Sequence, residues 1–291
     1  MSYEPIVLFE DQFVDTRQAK PSIDMEERGL QFGDGVYEVI RLYEGTFHLL
    51  GPHLARLYRS MEEIELIPHF SKALLVKWLY ELVEHNEFTG NGNVYLQVTR
   101  GVQSRSHAYA ANTKPTLYAY LTKKERPTDE MLRGIHACTE QDIRWLRCDI
   151  KSLNLLPNVM AKTNAERKNC QEALLVRSGI VTEGSSSNCF IVKNGTLYTH
   201  PANHLILNGI VRQYILSLAV KLGISVREEV FSVRDVLQAD ECFITGTTSE
   251  ITPVTHLDGT AISHGIVGRV TRQLQTSFQE SLPGDRIAFQ L

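Results

Sequence analysis

The chain has 291 residues, enough for one large or two modest domains around a sizeable core. An apolar share of 43% with 22% charged residues is ordinary for a soluble globular protein, and a net charge of −4 leaves no basic stripe for nucleic acid. No apolar run is long enough for a membrane span, Met1-Ser-Tyr-Glu-Pro5 does not read as a secretory signal, and five scattered cysteines (138, 148, 170, 189, 242) read as reduced thiols in a cytoplasmic protein.

In chain order, Pro5 to Phe9 reads as a short strand. Val36 to Tyr43 is rich in strand formers, turns at Glu44-Gly45 and returns through Thr46 to Leu50, a hairpin pattern. Leu54, Leu57, Met61 and Ile64 recur at helical spacing over Pro52 to Ile64, which sets Arg56 beside an apolar stripe. Ser71 caps a second helix whose apolar face holds Leu74, Leu75, Trp78, Leu79 and Leu82. After the break at Gly90-Asn-Gly92, Asn93 to Thr99 and Leu117 to Leu121 read as strands. The charged, proline-containing segment Thr122 to Asp129 separates two apolar regions and reads as a linker between domains 1–121 and 130–291.

Beyond it, Ala161 to Asn169 reads as a helix and Glu172 to Val176 as a strand. Cys189 to Thr199 is a hairpin about an Asn194-Gly195 turn. Ile210 to Leu222 forms an amphipathic helix ended by Gly223. Ser232-Val-Arg-Asp235 is a capping box, and Glu241 to Gly246 a strand. Helices and strands mix without regular βαβ alternation, so the predicted class is α+β.

Three strings carry chemistry. Lys151 lies in Asp142-Ile-Arg-Trp-Leu-Arg-Cys-Asp-Ile-Lys-Ser-Leu-Asn-Leu-Leu156, with charged residues before it and apolar ones after. Thr182-Glu183-Gly-Ser-Ser-Ser-Asn188 and Thr245-Gly-Thr-Thr-Ser-Glu-Ile251 follow. An amine, a carboxylate and a cluster of hydroxyls and glycines make a kit for pyridoxal phosphate: the amine joins the aldehyde, the acid keeps the ring nitrogen protonated, and small polar groups hold the phosphate. Any one of these alone is equally a solvated lysine, a turn acid or an ordinary loop. Leu207-Asn-Gly-Ile-Val211 opens directly into a helix, where free N–H groups can seat an anion. Arg100-Gly-Val-Gln-Ser-Arg105-Ser-His107 is a loop after a strand, where Arg105 and His107 stand close enough to address one anion or simply to form a basic loop.

These strings, with Arg28-Gly-Leu-Gln-Phe-Gly-Asp-Gly-Val-Tyr-Glu38 near the start, resemble the fold type IV pyridoxal phosphate enzymes of the branched-chain aminotransferase superfamily. Within it the chain is most similar to the bacterial D-amino acid aminotransferases, over nearly its whole length. The resemblance implies a two-domain fold, with a smaller N-terminal α/β domain and a larger, barrel-like mixed C-terminal domain. It implies Lys151 as catalytic base and covalent anchor, and Glu183 at the ring nitrogen with Leu207 on a ring face. Phosphate contacts fall on Arg56, Gly209, Ile210, Val211, Thr247 and Thr248. Val211 stands where relatives often carry threonine, so only its backbone can serve.

The resemblance also makes Tyr37, Arg105 and His107 the holders of the substrate α-carboxylate, with the loop shared across a homodimer interface. The expected reaction moves an amino group from a D-amino acid, D-alanine first, to 2-oxoglutarate. Branched-chain L-aminotransferases lack the Arg105–His107 pair and are the alternative, with an aminodeoxychorismate-lyase-like enzyme or a cofactor-binding sensor behind them. Other chemistries fit poorly. Gly33-Asp-Gly-Val-Tyr-Glu38 lacks the last glycine of a dinucleotide fingerprint, and Gly184-Ser-Ser-Ser-Asn188 lacks that of a nucleophile elbow. His200-Pro-Ala-Asn-His204 has no third metal ligand in view, so no metal is expected.

Overall fold

The computed structural model describes residues 3–284, 287 and 289. The chain divides into two compact units, one of Met1–Glu125 with Ile150–Asn154, the other of Arg126–Asp149 with Leu155–Leu291.

The first unit runs β1 (Ile6–Phe9), β2 (Gln12–Asp15), α1 (Arg28–Phe32), β3 (Gly35–Tyr43), β4 (Thr46–Phe47), α2 (Leu50–Glu63), α3 (Lys72–His85), β5 (Gly92–Thr99) and β6 (Thr116–Lys123). Its six-stranded sheet has the order β2-β1-β6-β5-β3-β4, with every pairing antiparallel. Strand alternation sorts the side chains onto two faces. Val36, Ile40, Leu42, Val94, Leu96, Val98, Leu117, Ala119 and Leu121 are buried with Leu54, Leu57 and Met61 of α2 and Leu75, Leu79 and Leu82 of α3. The other face carries Tyr37, Gln97 and Tyr118 in one row, in register across three strands. Leu74, expected inside, is 37% exposed because Ser71 accepts its N–H and sets it in the first turn of α3.

The second unit runs α4 (Thr128–Arg133), β7 (Ile135–Gln141), α5 (Leu156–Arg167), β8 (Glu172–Arg177), β9 (Ile180–Gly184), β10 (Asn188–Lys193), β11 (Thr196–Thr199), α6 (Ile210–Lys221), β12 (Ser225–Glu228), α7 (Val233–Leu237), β13 (Glu241–Gly246), β14 (Glu250–Leu257), β15 (Thr260–Ala261) and α8 (Arg269–Gln279). Its nine-stranded sheet follows β12-β11-β10-β13-β14-β7-β8-β9, with β15 on β14. Parallel pairs (β11–β12, β14–β7, β7–β8) stand among antiparallel ones, giving the curled, mixed sheet expected of this fold class.

The hairpin at Asn194-Gly195, the capping box at Ser232 and the Gly209-led helix lie where the residues indicate. Several elements are less visible locally. Pro253 sits inside β14, and α8 buries Leu274 and Phe278 with polar Thr271 and Gln275, too thin a stripe to stand out. Half of the segment read as a linker is taken up by the end of β6 and the start of α4.

Candidate functional site

Lys151 is placed by backbone pairing in the first unit. Tyr37 N–H donates to the Lys151 carbonyl at 3.1 Å, and Leu153 N–H to the Gly35 carbonyl at 3.1 Å, so Ile150–Asn154 lies along the start of β3. Gly35 permits the approach, since a Cβ there would stand 2.9 Å from Leu153 Cδ1 and 2.8 Å from the Val98 carbonyl. Ile150 packs into the first core, while Lys151 N–H donates to the buried Ser60 hydroxyl at 3.3 Å. The half-buried lysine carries its Nζ 4.2 Å from the Tyr37 ring centroid and makes no ion pair among the described residues.

Arg56 faces a competitor for its anion. Its Nε and Nη2 donate to the two oxygens of Glu38 at 2.7 and 2.8 Å, and His53 Nδ1 meets Glu38 at 2.7 Å. The two-pronged contact expected toward a phosphate is thus made, in this structure, to a carboxylate that is fully buried. Burial raises the Glu38 carboxyl, but the Arg56 charge and hydrogen bonds, with His53, outweigh it and hold it at about 2. Burial pushes His53 down, against the pull of Glu38, so the neutral ring donates a hydrogen bond from Nδ1–H to that carboxylate. The Lys151 charge also lowers His53, which ties the lysine to this cluster. Arg105 and His107 are both exposed and both pack on Phe32.

In the second unit Glu183, 4% exposed, is fixed on three sides. Leu207 N–H donates to both oxygens at 3.2 and 3.1 Å, Asn188 Nδ2 to Oε2 at 2.9 Å, and Arg144 Nη1 to Oε1. Burial pushes the Glu183 carboxyl up to about 7, with the charge of Arg144 and the Leu207 N–H acting against it. Arg144 is shared with Asp142, whose oxygens take its Nε and Nη2 at 2.9 Å each. Asn188 also donates to the Leu207 carbonyl at 2.8 Å, joining the acid to the approach of α6.

Helix α6 starts at Gly209, which has no side-chain cap, and a Cβ there would meet Asn188 Oδ1 at 2.1 Å. Only glycine allows that approach. Ile210 and Val211 follow with buried side chains, Val211 in the core with Phe190 and Ile215, so their backbones alone face any anion. Thr245 pairs with Asn188 across β13 and β10, and its buried hydroxyl has no hydrogen-bond partner. Thr247 and Thr248 turn from β13 toward β14, half-buried and exposed respectively.

Arg144, Asp142, Asn188, Glu38 and His53 were not foreseen as site residues. Asp142, Arg144, Asn188 and Glu38 stand inside the strings that carry the chemistry, which was the available signal; nothing in the sequence pairs Arg144 with Glu183 across so many residues. Ser185 and Ser187 serve Glu172, the latter at 2.7 Å, which gives the serine run a structural use. No group of three metal-ligating side chains occurs among the described residues, and His200 is buried against the Pro201 carbonyl.

An uncapped helix start, an orphaned buried hydroxyl and a rigidly held acid suit a phosphate on an aromatic nitrogen base, and an unpaired amine on a tyrosine ring suits an aldehyde. The chain belongs to the class IV aminotransferases: residues 35–257 match the amino-transferase class IV family model. Aminotransferases of this class depend on pyridoxal phosphate. The chain is 46% identical to a D-alanine aminotransferase of Bacillus licheniformis, over 95% of this chain and 96% of that one. It is 48% identical to a D-alanine aminotransferase of Listeria innocua, again over 95% and 96%. Among solved structures it is similar to the branched-chain amino acid aminotransferase of Escherichia coli, with a TM-score of 0.90, 26% identity, and 96% and 95% of the chains covered. The branched-chain enzyme of Thermobaculum terrenum in its PLP form gives a TM-score of 0.86 at 26% identity, over 96% and 94%.

Proposed function

We propose that the chain transfers the amino group of a D-amino acid, D-alanine first, to a 2-oxo acid, 2-oxoglutarate first. The observation that carries this reading is the 46–48% identity to D-alanine aminotransferases along nearly the full length of both chains. Likeness to branched-chain enzymes stands at 26% and speaks chiefly for the shared fold. The Arg105-x-His107 pair, absent from branched-chain enzymes in the expected pattern, favours the D-substrate as well.

Pyridoxal phosphate supplies, when bound, an aldehyde that takes up the amino group and a ring that draws off electron density. Lys151 Nζ is the anchor and, once released, takes the proton from the substrate α-carbon and delivers it onward. Its amine lies against the Tyr37 ring and makes no ion pair among the described residues, so no carboxylate holds it away from the cofactor. The Glu183 carboxylate holds the proton on the ring nitrogen, aimed by Leu207 N–H, Asn188 and Arg144. Leu207 would cover a face of the ring when it is bound. Backbone N–H groups at Gly209, Ile210 and Val211 and hydroxyls of Thr247 and Thr248 would hold the phosphate, with Arg56 as its cation while sharing its charge with Glu38. Tyr37, Arg105 and His107 bind the α-carboxylate, and the protein works in the cytoplasm as a homodimer that shares the Arg105–His107 loop across its interface.

A donor panel tests this reading: D-alanine and L-leucine, each with 2-oxoglutarate. D-alanine is expected to be used and L-leucine nearly ignored. Preference for L-leucine would turn the assignment to the branched-chain alternative.

A further inference from the structure

The loop carrying Arg105 and His107 is gripped by two residues without a role so far. Arg28, 2% exposed, donates from Nη1 to the Ser106 carbonyl at 2.7 Å and from Nη2 to the His107 carbonyl at 3.2 Å. Its Nε is held by Asp34 at 2.8 Å. Asp34 also takes Arg100 Nε at 2.8 Å, and the Arg100 guanidinium lies 3.7 Å from the Tyr109 ring centroid. One carboxylate therefore anchors two arginines that grip the loop at residues 106–107 and at 109.

Phe32 does the rest. The guanidinium carbons of Arg28 and Arg105 each lie 4.7 Å from its ring centroid, and the His107 ring centre lies 5.6 Å away. Arg28 is neutralised by Asp34, whereas Arg105 makes no ion pair among the described residues. The ring thus orients a cation whose charge is still available. An exposed arginine on a loop ordinarily samples many rotamers, and ordering it on binding costs affinity. A ring face beneath the guanidinium and a clasp on the backbone remove part of that cost beforehand.

We propose that Phe32 and Arg28 are positioning residues that pre-set Arg105 and His107 for a substrate carboxylate; this rests on the reading of that pair as the carboxylate holders. The loss of such pre-ordering weakens ground and transition states alike, so KM rises more than kcat falls.

The test uses the holoenzyme and two readouts: steady-state kinetics with D-alanine, and calorimetric titration with propanoate, a carboxylate without an amine to react. Phe32→Leu is expected to raise both KM and the propanoate Kd by about three- to thirtyfold. Phe32→Tyr, which keeps the ring face, is expected to restore both. Arg28→Lys keeps the charge beside Asp34 but loses the planar fork that reaches Asp34 and both carbonyls at once, and is expected to raise both values too; it serves if Phe32→Leu does not fold. Arg105→Ala separates the two levels of inference. If it raises both constants while Phe32→Leu and Arg28→Lys change neither, positioning is refuted and the carboxylate pair stands. If Arg105→Ala changes neither constant, the pair reading fails and the positioning role falls with it.

Discussion

Lys151 Nζ lies 4.2 Å from the centre of the Tyr37 ring, and the Tyr37 N–H donates to the Lys151 carbonyl at 3.1 Å. The side chains and backbones of residues far apart in sequence are thereby held together twice. A backbone bond fixes where the lysine starts, and the ring fixes where its amine points. Among the described residues that amine makes no ion pair.

Lys151→Ala should lower transamination by about a thousandfold or more, since one group serves as both anchor and base. Borohydride reduction followed by peptide mapping should find the cofactor on Lys151 in the native protein. Near-native turnover of the alanine variant would remove the lysine from the reaction.

Glu183→Gln should cost about a hundredfold in turnover, because the amide cannot stabilise a protonated ring nitrogen electrostatically. Arg144→Ala should act on stability as well. It leaves the buried Glu183 and Asp142 without their shared cation, a loss of about 3 to 5 kcal/mol. Thermal unfolding of the two variants separates these effects: the glutamine variant should melt near the native temperature and the alanine variant well below it.

The Arg105→Ala, His107→Ala double variant should lose most of its preference for D-alanine, with KM rising by about tenfold or more. Competition between D- and L-alanine measures this. Unchanged discrimination in the double variant would rule out the loop as the carboxylate holder.

Acid should unfold the protein through buried acids that both titrate near pH 2. In Glu38, burial is outweighed by Arg56 and His53, and the carboxyl falls from 4.5 to about 2. In Asp142, burial is outweighed by Arg144, Thr182 and Arg177, and it falls from 3.8 to about 2. Both pKa values are lowered on folding, so the stability they provide is full above the ordinary values. It is lost as pH drops from there toward 2, at about 3 kcal/mol for Glu38 and about 2 kcal/mol for Asp142. Urea unfolding between pH 5 and 2.5, as the test conditions, should show the slope, and Asp142→Asn should flatten it.

Much of the fold was legible because its signals are local. Ser71, Ser232, Asn194-Gly195 and Gly209 are caps and turns that act within a few residues, and each appears in the structure where its type requires. Elements whose stability comes from neighbours were silent. Strand β14 carries Pro253 although it is central, next to an irregularity in its pairing with β7, so pairing with both neighbours outweighs the ladder bond proline cannot donate, and α8 is held by a thin stripe that only the second core makes sufficient.

The sequence by itself determined the family and the chemical kit: a lysine, an acid, a glycine-led helix and an Arg-x-His loop, recognisable because residue type and local order carry them. Only the tertiary structure decided the environment of each. It laid Lys151 along β3 with the first unit, gave Arg56 to Glu38, supplied Arg144 and Asn188 to Glu183, and placed Phe32 beneath Arg105. Those contacts join residues far apart in the chain. Charge pairing and packing depend on distance in space, and the spacing of residues along the chain carries no record of it.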